Sequence, residues 1–207
     1  MLAKLLSHEI FILILGLSCS MLSGCDPKYK SEAENKYRAA AERGDVEAQA
    51  KLGACYFNGD GVDTNIEKAL YWYRKAAEQG HIETQFFLGI LYSYGVQKNF
   101  QQSAYWYRKA AEQGHAEAQC RLGDYYSSEG YEGITGDIKE AVYWYRKAAE
   151  QGNVGAQLML GLHYQLEQDY QLAKYWYRKA AEQGDKRGND ALKRLETQLE
   201  IEKFMQI

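Results

Sequence analysis

Tyr71-Trp72-Tyr73-Arg74-Lys75-Ala76-Ala77-Glu78-Gln79-Gly80 is one of four identical copies of a ten-residue peptide, the others ending at Gly114, Gly152 and Gly184. A weaker copy, Tyr37-Arg38-Ala39-Ala40-Ala41-Glu42-Arg43-Gly44, precedes them, so that successive terminal glycines lie 36, 34, 38 and 32 residues apart. Periods of this length are the mark of stacked supersecondary units, usually helix pairs, each of which buries its apolar face only against its neighbours. Nine residues after each terminal glycine comes a second one, at Gly53, Gly89, Gly123 and Gly161, always with leucine before it and an aromatic residue three positions later. That distance is invariant. The length variation falls between the second glycine and the next tryptophan, where the separations are 19, 17, 21 and 15 residues. Insertions collect in loops, which places the interhelical loop there.

Two helices per repeat follow, helix A after the terminal glycine and helix B carrying the tryptophan. Asn65, Asn99, Asp137 and Asp169 stand seven residues before Trp72, Trp106, Trp144 and Trp176 and are predicted N-caps of the B helices. Gly80, Gly114, Gly152 and Gly184 are predicted to close them in the left-handed conformation. Asp45, His81, His115, Asn153 and Asp185 then open the A helices. Ala69, Trp72, Tyr73 and Ala76 recur at i, i+3, i+4 and i+7, the stripe of a helix facing a core. The Gly53 series is expected to admit a neighbouring helix, and the tryptophans to fill space between layers. Arg74 and Glu78 read as an i,i+4 pair on a solvated face.

The motifs Leu-Gly-x-x-Tyr, Trp-Tyr-x-Lys-Ala-Ala-Glu-x-Gly and Ala-Gln-x-x-Leu-Gly resemble the Sel-one-like repeat family, relatives of the tetratricopeptide repeats. The resemblance covers about Tyr37 to Leu195. It implies an all-α fold, an α/α solenoid of antiparallel helix pairs wound as a right-handed tetratricopeptide-like superhelix, with scaffold or adaptor roles and partners held on the concave surface. Gly59-Asp60-Gly61-Val62 fits the family's glycine-rich loop, whereas the second repeat shortens it to Gly95-Val96 and the fourth loses it at Glu167-Gln168-Asp169. The last helix replaces the paired glycine with Lys193 while keeping Leu192, as a solvent-facing cap would. Cysteine-rich members of the family staple helices with disulfides. Here Cys55 and Cys120 lie eleven and six residues after their glycines and two repeats apart, which is out of register for a bridge, so free buried thiols are expected.

The start of the chain has a different character. Lys4 precedes the apolar run Ile10 to Leu17, too short for a permanent membrane span and readable as the core of a signal peptide. Leu22-Ser23-Gly24-Cys25 after it resembles the lipobox of bacterial lipoproteins, which makes Cys25 the lipidation site and anchors the chain to a membrane. In enteric lipoproteins an aspartate in the next position, here Asp26, favours the inner membrane, and in another host the outer membrane is the alternative. The expected organisation is a signal peptide over 1–24, a lipid-anchored linker and start of the first helix over 25–36, the repeat solenoid over 37–184, and a capping helix over 185–207. The expected location is the cell envelope, facing the periplasm.

Binding to nucleic acid is not expected, because 25 basic and 28 acidic residues are interspersed without a basic stripe. No Gly-x-Ser-x-Gly, His-Glu-x-x-His, Cys-x-x-Cys or phosphate loop occurs, so no catalytic residue, metal, cofactor or small-molecule substrate is assigned. If leucine, glycine and tyrosine mark the buried side of helix A, the opposite side forms a groove. Its second-repeat members are Phe86, Phe87, Ile90 and Tyr94, and its fourth-repeat members are Leu158, Met159, Leu162 and Leu166. Between and beside them stand Arg121, Asp124 and Lys51. Apolar anchors beside charged residues suit an amphipathic segment of a protein partner, with burial of the same residues between neighbouring A helices, or against the C-terminal helix, as the competing arrangement. The expected function is a scaffold or adaptor lipoprotein. The alternatives are an immunity protein that neutralises a secreted effector such as a periplasmic lipase and, third, a cell-wall or β-lactam hydrolase.

Overall fold

A computed structural model describes residues 27–95, 98–127, 131 and 133–205, with side chains from Glu34 onward. The signal-peptide run, the Leu22 to Cys25 motif and Asp26 lie outside the described residues. Those that are described form ten helices and no strand: α1 (Pro27–Glu42), α2 (Val46–Asn58), α3 (Ile66–Glu78), α4 (Ile82–Tyr94), α5 (Phe100–Glu112), α6 (Ala116–Ser127), α7 (Ile138–Glu150), α8 (Val154–Leu166), α9 (Tyr170–Glu182) and α10 (Lys186–Met205). The A helices are the even-numbered ones. None of the described helices is long and apolar enough to cross a membrane.

The helix boundaries follow from local chemistry. Asn65, Asn99 and Asp169 accept hydrogen bonds from the backbone N–H three residues on, at 2.9, 2.9 and 3.1 Å. Each satisfies an orphan donor of a B helix first turn. The A helices start the same way at Asp45 and Asn153, and His115 does this work through Nδ1, 3.1 Å from the Ala118 N–H. At the other end Gly114 takes φ +94°, and a Cβ built there would meet nothing within 4 Å. The demand for glycine at this position is therefore conformational, not steric. Where the fourth repeat has lost its loop glycines, Gln168 itself takes φ +61°.

The helices fall into two compact units, residues up to 84 and from 85. In the first, α2 packs against both α1 and α3. In the second, each helix from α5 to α10 packs on the next in chain order, and α6 also meets α8. Stacked hairpins of this kind are the α/α solenoid arrangement.

Three interactions recur and hold the stack. First, the tyrosine after each tryptophan lays its ring on the A-helix glycine, so that a Cβ at Gly53, Gly123 or Gly161 would come within 2.8, 2.6 and 2.4 Å of Tyr73, Tyr145 and Tyr177. The sequence reading gave the filling role to the tryptophans. Trp106, Trp144 and Trp176 are buried and Trp72 half-buried, but the ring pressed into the glycine notch is tyrosine. Second, a glutamine relay links repeats: Gln151 Nε2 donates to Gln119 Oε1 at 2.8 Å, and Gln119 Nε2 donates to the Ala111 carbonyl at 3.0 Å. Gln79, Gln49 and the Ala41 carbonyl repeat it in the first unit, at 2.7 and 3.0 Å. Third, the B-helix arginine reaches a tyrosine hydroxyl eighteen residues on, as in Arg38 to Tyr56 (2.8 Å), Arg146 to Tyr164 (2.5 Å) and Arg108 to Tyr126. These arginines bridge helices, where the sequence suggested only pairing with glutamate along one helix.

The last repeat ends differently. Lys193 at the paired-glycine position is exposed, as a cap requires. The close approach moves one turn earlier, to Gly188, where a Cβ would sit 2.7 Å from the Ala181 nitrogen, while Leu195 is wholly buried. Cys55 and Cys120 are free and buried, as expected.

Candidate protein-binding surface

The A helices decide which side chains remain available, because their leucine, glycine and tyrosine positions are consumed by the neighbouring B helix. Position by position, the expected groove divides into residues with structural work and residues without it.

Phe86 is a correction. It is 2% exposed, stacked on the His115 ring at 4.4 Å and inclined to Tyr107 at 5.7 Å. Phe87 is also buried. His115, which opens the next A helix, and Tyr107 of the B helix take the Phe86 ring out of solvent, as in the arrangement weighed against an open groove. Leu158 is the same kind of correction, half-buried against the cluster of Ala173, Tyr177 and Leu195. Ile90 is half-buried, and Tyr94 in the last turn of α4 stands open.

Arg121 and Asp124 sit one turn apart on α6 within a polar network. Arg121 meets Glu117 at 2.8 Å and Asp124 at 3.5 Å, Asn153 donates to Glu117 at 2.8 Å, and the Tyr145 hydroxyl donates to Asp124 at 2.9 Å. Burial pushes the Asp124 carboxyl above its ordinary range, against the opposing pull of the Tyr145 hydrogen bond and the Arg121 charge. Burial likewise pushes the Cys120 thiol up to about 12, and Asp124 and Glu117 act in the same direction. In the first unit Lys51 is exposed and pairs with Glu47 at 3.1 Å, a surface ion pair of little energetic weight. Among the described residues no three His, Cys, Asp or Glu side chains converge as metal ligands.

Met159, Leu162 and Leu166 remain. They lie on one face of α8, and Leu162 and Leu166 are 46% and 75% exposed. Beyond them the structure adds a surface that the sequence reading missed. Gln165 on α8 donates to Gln198 on α10 at 3.4 Å, and Lys193, Arg194, Thr197, Gln198, Ile201 and Glu202 line an open depression along α10. The signal for it was present in the sequence. Leu192, Leu195 and Leu199 define the side of α10 packed on α9, and Arg194, Gln198 and Ile201 fall about 120° round the helix, on the flank where Gln198 meets α8.

The Sel1 repeat model matches residues 46–81, 82–115, 116–153 and 154–185. The boundaries coincide with the openings of the A helices. Among solved structures, a Sel1 repeat protein from Oxalobacter formigenes is 34% identical, with a TM-score of 0.68 over 80% of this chain and 49% of that one. The protein c5321 of uropathogenic Escherichia coli, described as a protective antigen with an SLR fold, is 31% identical, with a TM-score of 0.67 over 92% of this chain and 40% of that one. This chain thus spans half or less of either relative's length. A search of curated proteins finds no match. With four consecutive repeats matched over most of its length, the chain belongs to the Sel1 repeat family.

Proposed function

We propose that this protein is a periplasm-facing lipoprotein, held to a membrane through Cys25, that captures a protein partner on the uncovered face of its last A helices. The observation that carries the capture is the apolar row Met159, Leu162 and Leu166. These side chains have no part in the glycine notch, the glutamine relay or the core clusters, yet they stand exposed on a face where a soluble protein gains nothing by displaying them. A row at this helical spacing suits an amphipathic helix of the partner. The anchoring part rests on the lipobox-like Leu22-Ser23-Gly24-Cys25 after an apolar run.

The test is photocrosslinking in the cell, with p-benzoylphenylalanine in place of Leu162 in the full chain and the adduct identified by mass spectrometry. A single adduct lost in Leu166→Asp supports the reading. Absence of any adduct, or an adduct indifferent to that change, refutes it. The identity of the captured protein separates an envelope scaffold from immunity against a secreted effector. Labelling with a palmitate analogue, present in the native chain and absent in Cys25→Ser, tests the anchor independently.

A further inference from the structure

Helix α8 contains no Asp, Glu, Lys or Arg. Three residues past the terminal glycine, where the other A helices place Glu47, Glu83, Glu117 and Arg187, it has Gly155. Met159, Leu162 and Leu166 fall within about 60° of one another around the helix, on the side opposite the buried pair Leu160 and Gly161. The exposed row draws no charge from its own helix, so any ionic contact at its edge comes from α6 or α10.

Those neighbours are in step with it. Ala156 clusters with Ala148 and Ala149 of α7, and Gly188 lies against Ala180 and Ala181 of α9. Ala156 and Gly188 each follow a terminal glycine by four residues, so α8 and α10 leave their B helices in one register. The Gln165 to Gln198 hydrogen bond ties α8 to α10, and the Asn153 to Glu117 hydrogen bond ties α8 to α6. Asp124, Leu162 and Arg194 each stand ten residues past a terminal glycine, which sets Leu162 between a carboxylate on α6 and a guanidinium on α10.

The two charges differ in what already answers them. Asp124 accepts from the Tyr145 hydroxyl and pairs with Arg121, which Glu117 holds from the other side. Arg194 is exposed and forms no ion pair among the described residues. The acids around it are engaged elsewhere: Asp185 with Arg187 at 2.8 Å, Glu196 with Lys174 at 4.0 Å, and Glu202 accepting from Gln198 at 2.8 Å. A helix lying on the row therefore meets one unanswered charge at its edge, and that charge is positive.

We propose, on the footing that the α8 row captures a partner, that the captured segment is an amphipathic helix with an acidic edge. Its apolar stripe covers Met159, Leu162 and Leu166, and a Glu or Asp beside that stripe pairs with Arg194. A basic edge there meets like charge. A pair at the rim of an apolar contact acts chiefly on specificity, association rate and salt dependence.

The probe is a displayed library of helical peptides of about 18 residues, with a fixed leucine stripe and both edges randomised among Glu, Lys and Ala, selected on the full chain. The expected outcome is enrichment of Glu over Lys at one edge. The best Glu-edged peptide should bind about fivefold more tightly than its Lys-edged counterpart, and salt should shrink the difference. Arg194→Glu, at an exposed position, keeps the helical circular dichroism and turns the preference to Lys. Peptides that need Leu162 but do not distinguish Glu from Lys, or whose preference survives Arg194→Glu, would overturn the acidic edge and leave the row standing. No selected peptide, or peptides indifferent to Leu162→Asp, would overturn the row itself. Sedimentation velocity of the chain alone completes the test, because self-association abolished by Leu162→Asp would assign the row to a second copy and overturn the proposal.

Discussion

The ring of Tyr107 fills the space that a side chain at position 89 would need: a Cβ built on Gly89 would lie 2.4 Å from Tyr107 Cδ1 and 2.5 Å from Cε1. Both residues are buried, and the ring also touches Phe86 and Tyr125, so it has nowhere to retreat. Gly89→Ala is therefore expected to cost about 1–3 kcal/mol by overpacking. Urea denaturation checks it, and a change below about 0.5 kcal/mol would mean that the A and B helices are not in this register.

Gln119 is buried, accepts from Gln151 and donates to the Ala111 carbonyl. Gln119→Leu keeps the volume but removes one of the two hydrogen bonds to the Ala111 carbonyl, which retains the Gly114 N–H, and the bond from the exposed Gln151, with an expected loss of about 1 kcal/mol. Exposed Gln102, in the first turn of α5, provides the comparison, and Gln102→Leu should fall within about 0.5 kcal/mol of the native chain. Equal losses at the two positions would deny the relay a structural role.

Thiol chemistry offers a third check. Cys120 is buried with its ionisation pushed up to about 12, and burial shifts Cys55 in the same direction. A thiolate is the reactive form, so iodoacetamide at neutral pH should leave both unmodified in the folded chain and label both in urea. Peptide-resolved mass spectrometry reads the two sites separately. Rapid labelling of Cys120 in the native state would contradict its placement.

Asp124 should leave a signature in the pH dependence of stability. Its folded-state value is raised above the ordinary 3.8, so the folded chain holds that proton more tightly than the unfolded one. The contribution to stability is then fully present below the ordinary value and lost as pH rises through the raised one. Asp124→Asn, which still accepts from Tyr145, should melt progressively higher relative to the native chain across that window. Thermal melts from about pH 3 to about pH 7 test this, and parallel curves would refute it.

What the sequence determined by itself was whatever a few neighbouring residues can specify. Asn65, Asn99 and Asp169 cap helices because their side chains reach a backbone N–H three residues away, and Gly80 or Gly114 ends one because only its own φ is at issue. Repetition then made the stacking legible, and elimination of the repeat positions left Phe86, Phe87, Ile90, Tyr94, Leu158, Met159, Leu162 and Leu166 as groove members without separating the covered from the open. Tertiary structure alone decided which neighbour covers which side chain. Phe86 and Leu162 are both apolar residues beside a leucine-glycine pair, yet one is stacked under His115 and the other is open to solvent. The same holds for Tyr73, not Trp72, in the notch of Gly53. Burial is a property of the space between helices, set by the shape and approach of residues distant in the chain, and no local pattern encodes it.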